Sequence, residues 1–345
     1  MLYPTCGRLD PDGGHWHLTI RGVIFSPGTN GIRRRLTLRV MRRLLHADAA
    51  QLQSDIFQHR IRRFLAIGAP GRRIVVQIGD QIHALTRPSG RDGRFVDHLV
   101  IPVRSMPHLR DIDPDRGGWL DLRVLEPAET TVPATGRIQL IGQRGVSVIS
   151  DIDDTIKISE VSERRALLAN TFLRQFAAVP GMAETYQRWD EPGRAFHYVS
   201  SSPWQLFDCL NEMRCRSGFP PGTFHLRAIR FGDPRLVGLF MAAKRIKKRA
   251  IAGLIRSYPQ RQFVLVGDSG QRDPEIYGAI ARRFGSQISA IYIRCVARQP
   301  LADARCQRAF RGLDPEMWRA FEDPAQLPER LPTLASLGSL KRSAI

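Results

Sequence analysis

Lysine and cysteine are both scarce in this chain. Of 52 basic residues five are lysine (Lys157, Lys244, Lys247, Lys248 and Lys341), and five cysteines lie at positions 6, 209, 215, 295 and 306. The cysteines are too few and too scattered for a disulfide scaffold, and none forms a close C-x-x-C pair of the zinc or redox kind. A reducing, cytoplasmic setting is therefore expected. No run of about 18 apolar residues occurs, so no membrane-spanning helix is expected. The stretch Met1–Asp12 has no basic start followed by an apolar run, which argues against a secretory signal. Gly-x-Ser-x-Gly is absent, so Ser202-Pro-Trp gains no support as a serine nucleophile. Zinc-finger spacing, an aromatic-rich RNA-binding signature and a clear recognition helix are also missing, and no nucleic-acid partner is expected.

What is abundant is arginine. The 345 residues hold 52 basic and 33 acidic side chains, a net charge of +19. The excess is about equal before and after residue 145, so neither half is a dedicated basic arm. Heavy use of Arg, Ala, Gly and Pro together reads in part as a compositional bias. The charge still draws anionic partners from a distance, an anionic membrane surface among them. An apolar content of 43% suffices for packed cores, and the length suggests two domains.

Residues 1–145 read as short β segments cut by Gly, Pro and Asp. Strands are predicted over His17–Phe25, Arg73–Ile78, Phe95–Val103, Trp119–Leu125 and Arg137–Gly142, with one helix near Leu52–Leu65. This pattern predicts a β-rich, sandwich-like accessory domain. From residue 146 the pattern changes. Apolar runs at Val146–Ile149, Ala195–Val199, Phe263–Val266 and Ser289–Ile293 alternate with helical periodicity. Helices are predicted at Arg164–Ala178, Met182–Trp189, Pro203–Arg214, Val237–Arg256 and Pro274–Phe284. Alternation of this kind predicts an α/β domain with a parallel sheet over 146–323. Residues 324–345 read as a flexible tail.

Polar clusters follow the predicted buried strands. Asp151-Ile-Asp153-Asp154-Thr155 follows the first run, Ser200-Ser201-Ser202-Pro203 the second, and Gly267-Asp268-Ser269-Gly270-Gln271-Arg272-Asp273 the third. Ligands bind at this carboxyl edge in open parallel sheets. Lone carboxylates at such loops are often helix caps, but three clusters in order, with a basic helix between the second and third, exceed that reading. Residues i and i+2 of an extended segment share a face, so Asp151 and Asp153 would repel unless a cation or proton lay between them. Mg²⁺ takes oxygen ligands, commonly one or two carboxylates plus substrate phosphate, and Asp268 could complete such a site. A carboxylate can also attack phosphorus to form an aspartyl-phosphate, with a second group moving the protons. Lysine and hydroxyl groups would grip the remaining phosphoryl oxygens.

Asp-x-Asp-x-Thr after a strand, a serine at the next strand end, a helical lysine and then Gly-Asp-x-x-x-x-Asp resemble the haloacid dehalogenase superfamily. The longer strings Asp151–Ser159, Tyr198–Gln205 and Gly267–Tyr277 look like the actin-patch-associated phosphatidate phosphatases and their bacterial relatives, whose catalytic domain is distantly similar to that of the lipins. The resemblance is strong over about residues 146–300. It implies a Rossmann-like parallel sheet of the haloacid dehalogenase type, and Mg²⁺-dependent hydrolysis of phosphatidate to diacylglycerol. It implies Asp151 as nucleophile, Asp153 as general acid and then base, and Thr155 as a positioning residue. Ser200 would bind the phosphoryl group, with Ser201 and Ser202 as neighbours able to substitute. Mg²⁺ would be held by the Asp151 and Asp268 carboxylates and the Asp153 carbonyl, with Asp273 acting nearby through water. Lys247 lies twelve residues before Pro259, the spacing the family implies; Lys244 and Lys248 are the alternatives, and all three also suit a solvated helix face.

The segment between Thr155 and Ala195 is too short for a large separate cap, which suits a bulky or interfacial substrate. The helix near Leu236–Arg256 is basic and amphipathic, which fits either ordinary packing or peripheral contact with an anionic membrane. Ala228 departs from the family, whose members often place an acidic residue there. A phosphatase of a soluble phosphomonoester or phosphoprotein, and a non-enzymatic membrane- or partner-binding protein, are the competing readings. Four acidic residues kept together argue against the last.

Overall fold

The structure, a computed structural model, describes residues 1–26, 31–105, 109, 113, 116–126, 134–228, 244–296 and 302–332. The N-terminal half contains β1 (Thr5–Leu9), β2 (His15–Val23), β3 (Phe25–Ser26), α1 (Gly31–Leu45), α2 (Ala49–Gln53), α3 (Asp55–Leu65), β4 (Ile67–Gly68), β5 (Val75–Ile78), β6 (Gln81–Ala84), β7 (Arg94–Pro102), β8 (Gly118–Glu126) and β9 (Thr135–Ile141). Seven of these strands form one mixed sheet in the order β6-β5-β8-β9-β1-β2-β7, while β3 and β4 make a separate pair. Only β1 and β9 run parallel in it. Inward side chains alternate along β2, with Trp16, Leu18 and Ile20 buried. They join Val76, Ile78, Leu120, Leu122, Ile138 and Leu140 in one apolar cluster.

The helical part of this half is larger than the sequence suggests, and it faces away from that cluster. The predicted helix Leu52–Leu65 is two helices, because Ser54 breaks the run and caps the second by accepting the Phe57 N–H at 3.3 Å. Met41, Phe57, Ile61, Phe64 and Leu65 pack with Val146, Val148, Phe172 and Tyr186, in a core belonging mainly to the C-terminal half. Buried Arg60 fastens α3 there. Its guanidinium donates to the Asn170 and Thr171 carbonyls at 3.2 and 2.6 Å and lies 4.0 Å from the centre of the Phe176 ring.

The C-terminal half contains β10 (Val146–Ser150), α4 (Arg164–Phe172), α5 (Met182–Trp189), β11 (Ala195–Pro203), α6 (Phe207–Arg216), β12 (Thr223–Arg227), α7 (Lys244–Ser257), β13 (Gln262–Asp268), α8 (Asp273–Phe284), β14 (Ile288–Arg294), α9 (Ala302–Ala309) and β15 (Trp318–Phe321). Six strands form a wholly parallel sheet in the order β12-β11-β10-β13-β14-β15. Counted from β10, that is 3-2-1-4-5-6, the order of a doubly wound sheet. All five residues of β10 are buried, as a central strand covered on both faces requires. The order reverses at β10, so a crevice opens beyond the carboxyl ends of β10 and β13.

The two halves meet at a turn near Gly145, whose φ of +120° suits glycine. Buried Arg261 holds the turn by donating to the Gly142, Arg144, Val146 and Gly193 carbonyls and to Ser147 Oγ. The flexible tail expected from residue 324 is corrected over its described part. Leu327 and Leu331 are buried in the core, and Trp189 Nε1 donates to the Pro328 carbonyl at 2.8 Å. Two leucines spaced among prolines give no helical or strand period, so the sequence does not announce this docking; residues 333–345 lie outside the described residues. The strands β12 and β15 were also not anticipated. Of the predicted helix Val237–Arg256, residues 237–243 lie outside the described residues and the rest falls in α7.

Candidate active site

The loop after β10 is braced by its own backbone. Asp154 adopts φ +57°, a left-handed conformation that aspartate tolerates better than most side chains. Its carboxylate accepts the Ser159, Glu160 and Val161 N–H groups at 2.7, 2.8 and 2.7 Å. Arg294 donates to its carbonyl at 2.8 Å. The chain thus doubles back within ten residues, and Asp151, Asp153 and Thr155 are all buried at the sheet edge. The Asp151 N–H is bonded to the Val266 carbonyl at 2.8 Å, which ties the loop to β13.

Two polar clusters result. In the first, Lys247 reaches from α7 to Asp151 Oδ1 at 2.5 Å and also contacts Asp273 Oδ1. Among the described residues, Asp151, Asp268 and Asp273 offer carboxylate oxygens within 4.8 Å of one another. Thr155 Oγ1 donates to Asp151 Oδ2 at 3.3 Å. Asp268 Oδ1 accepts the Gly270 and Gln271 N–H groups at 2.6 and 2.9 Å, whereas its Oδ2 is buried with no hydrogen-bond partner. Three buried carboxylates therefore face one lysine. Burial raises the Asp151 pKa to about 8, with Asp273 and Asp153 adding to the rise and Lys247 opposing it. Burial, then Asp273 and Asp151, push Asp268 well above the carboxylate range. Lys247 stays cationic, since the pull of Asp151 and Asp273 outweighs its own burial.

In the second cluster Asp153 is saturated with donors. Lys157 Nζ lies 2.9 Å from Oδ1, to which Ser159 Oγ also donates at 2.8 Å. Ser200 and Ser202 Oγ both donate to Oδ2 at 2.8 Å. Burial works against the charge on Asp153, but Lys157 outweighs it and holds the pKa below the usual carboxylate range.

Most of the residues singled out from the sequence thus converge. Lys247 is the lysine that reaches the aspartates; Lys248 lies half-buried on the same helix, and Lys244 opens that helix. Ser201 is half-buried beside Ser200 and Ser202. Asp273 contacts Lys247 directly, and the Asp153 carboxylate stands outside the three-aspartate group. Sequence reasoning missed Lys157 and Ser159, although both lie within the quoted string Asp151–Ser159. A lysine so close to Asp-x-Asp was the available signal. It also missed Arg305, which braces the third loop by donating to the Ser269 carbonyl at 2.6 Å and to the Gln271 carbonyl, and pairs with Glu275 at 2.8 Å. Gly267, part of the Gly-Asp-x-x-x-x-Asp motif, has a steric reason that only the structure shows: a Cβ there would run into Asp273 Oδ2.

Comparison with known proteins places this geometry. Residues 146–295 match the family described as phosphatidate phosphatase APP1, catalytic domain. Both clusters fall inside that range. The chain is 31% identical over 253 residues to phosphatidate phosphatase APP1 of Saccharomyces cerevisiae, covering 70% of this chain and 41% of that protein. It is 30% identical over 163 residues to an uncharacterised protein of Schizosaccharomyces pombe, covering 46% of this chain and 26% of that protein. The chain thus spans less than half the length of either relative.

Proposed function

We propose, because residues 146–295 match the family described as phosphatidate phosphatase APP1, catalytic domain, that the chain hydrolyses phosphatidate to diacylglycerol and phosphate through an aspartyl-phosphate on Asp151, with Mg²⁺ as cofactor. The observation that carries this reading is the first cluster: a buried carboxylate held 2.5 Å from Lys247, beside two more buried carboxylates, one with an unpartnered oxygen. We read the sheet as the haloacid dehalogenase type on its strand order and on the position of both clusters at its carboxyl edge.

The donor set fits a hard divalent cation. Asp151, Asp268 and Asp273 supply oxygens alone, as Mg²⁺ prefers, and the lone buried Oδ2 of Asp268 lacks any other partner. The carbonyl of Asp153 is the further ligand the family resemblance implies. Mg²⁺ held there would offset charge on the transferring phosphoryl oxygens.

In the first step an oxygen of Asp151 attacks phosphorus, the ester P–O bond breaks, and the leaving oxygen takes a proton from Asp153. Lys247 orients the attacking carboxylate. In the second step water gives its proton to Asp153 and attacks the same phosphorus, which releases phosphate and restores Asp151. The arrangement of Asp153 described above, ionised and saturated with donors, is that of a base and suits the second step. To serve as acid it must exchange contacts with Lys157 and the serines for a proton and the leaving oxygen.

A lipid substrate is supported by the surface beside the site. Ile158 and Ile246, 41% and 46% exposed, immediately neighbour the buried Lys157 and Lys247. Those lysines are paired with aspartates inside the protein, so it is the two exposed apolar side chains at the mouth of the site that suit a lipid surface. We propose a cytoplasmic protein with peripheral membrane contact, supported by five free cysteines and the net charge of +19. No described helix is long and apolar enough to cross a membrane. We also read two domains, 1–145 and 146–323, with α1–α3 laid onto the second. The seven-stranded sheet is read as curling over its own apolar face, sandwich-like, because one cluster draws on nearly every strand.

The test is phosphate release from phosphatidate in mixed micelles. Release is expected with Mg²⁺, to vanish with EDTA, and to fall at least ~10³-fold in Asp151→Asn. Undiminished activity in folded Asp151→Asn would refute the nucleophile. Turnover of soluble phosphomonoesters with none of phosphatidate would refute the lipid substrate.

A further inference from the structure

A cleft of about 300 Å³ runs from the catalytic residues to the N-terminal sheet. Ser200 and Lys247 are among its lining residues. Thr19 and Arg21 of β2 form one wall, and Leu226 of β12 with Ile246 and Leu254 of α7 form another. The volume lies at the lower end of small-molecule sites, and the lining is mixed, since His98, His225 and Arg249 share it with the apolar side chains.

Arg21 is the unusual member. It is half-buried, and its guanidinium lies 5.8 Å from the centre of the Trp204 ring. Among the described residues no carboxylate or hydrogen-bond acceptor pairs with its side chain. A guanidinium carries five N–H donors, and in this half-buried position those of Arg21 keep contact with solvent. An acceptor brought by a ligand would take the place of that water.

We propose that this cleft holds the acyl-ester portion of a lipid phosphate, with Arg21 donating to an ester carbonyl and the Leu226, Ile246 and Leu254 face taking the alkyl chain. The inference rests on the phosphatase reading for its substrate, and it makes the N-terminal sheet a wall of the site and a determinant of specificity. Continuity with Ser200 and Lys247 favours this occupant. A ligand held here would meet Lys247 of the first cluster and Ser200 of the second.

Binding of non-hydrolysable phosphonates to the full chain tests the cleft apart from turnover. With Mg²⁺ present, calorimetric affinity is expected to rise at least ~10-fold from methyl to octyl phosphonate. In Ile246→Asp that ratio should collapse toward one. Octanoyloxyethyl phosphonate should bind ~10-fold more tightly than its ether analogue, and Arg21→Gln should erase this preference. Ile82→Asp, on exposed β6 at the far edge of the sheet, serves as control and should keep both ratios. Chain-blind binding by the unaltered protein, a ratio that survives Ile246→Asp, or an ester preference that survives Arg21→Gln would each overturn the proposal. Chain-dependent binding without turnover of any phosphate ester would support the cleft and refute the phosphatase. Turnover with chain-blind binding would do the opposite.

Discussion

The two polar clusters are built from the same residue types and reach opposite electrostatic states. Around Asp151, three carboxylates share one lysine and leave an oxygen of Asp268 with no partner. Around Asp153, one carboxylate receives a lysine and three hydroxyls. Isolated charge is costly to bury, so the first cluster is stable only with added positive charge or protons. The second is complete as it stands. The contrast teaches a division of labour. The starved side is where a cation and a phosphoryl group would be welcomed, and the saturated side keeps a base ionised until a proton is offered.

Removing the cation from the starved side should give the largest structural effect. Lys247→Met would strand Asp151 and Asp273, whose side chains are 1% exposed. Breaking a buried pair by deleting one partner costs about 3–5 kcal/mol. Denaturant unfolding in EDTA should show a loss of that size. Mg²⁺ should restore more stability to this variant than it adds to the unaltered protein, since the cation then replaces the lost charge. Equal losses with and without Mg²⁺ would mean that the cation does not replace the charge of Lys247.

The saturated side should respond less. Lys157→Met leaves Asp153 with Ser159, Ser200 and Ser202, so a loss of about 2 kcal/mol is expected. The sign of its pH dependence follows from the depressed pKa of Asp153. The stability supplied by this ionised carboxylate is present above the ordinary aspartate pKa near ~3.9. It is lost as pH falls through the lower folded value. Below pH 4 the acid limb of the unaltered protein should therefore be steeper than that of Lys157→Met. Parallel acid limbs would show that Lys157 does not sustain the charge on Asp153.

The same contrast explains what could be read from the sequence. Asp151, Asp153, Ser200, Asp268 and Asp273 were legible because each follows a continuous apolar run that can only be a buried strand, and such ends gather at one sheet edge. Helix Met182–Trp189 was legible residue for residue, since its period is strong and Asp190 follows it. Lys157 was not, because lysine in a loop is ordinarily solvated; the fold of the loop around Asp154 is what buries it. Leu327 and Leu331 dock through tertiary contacts with no local period. β12 went unseen because Thr223–Arg227 is a short mixed run at the sheet edge. The cleft wall at Arg21 lies on a strand that could be predicted, but its approach to Ser200 depends on how the two halves meet, which no local pattern encodes.

The smallest effect concerns one proton, and it sharpens the contrast most. The Asp151 pKa of about 8 reflects burial without a cation. A folded pKa above the ordinary value near ~3.9 means that ionising Asp151 costs stability. The cation-free protein should therefore lose stability as pH climbs from about 4 toward 8. Metal ligands must be deprotonated, so binding below that range releases the proton. Calorimetric titration with Mg²⁺ in two buffers of different ionisation enthalpy should report more proton release at pH 6.5 than at pH 9, and apparent affinity should rise with pH through about 8. Asp151→Asn carries no such proton, so its release at pH 6.5 should drop by roughly one. If release were unchanged in that variant, Asp268 would be the group that holds the proton, and the starved cluster would be organised around the third loop rather than the first.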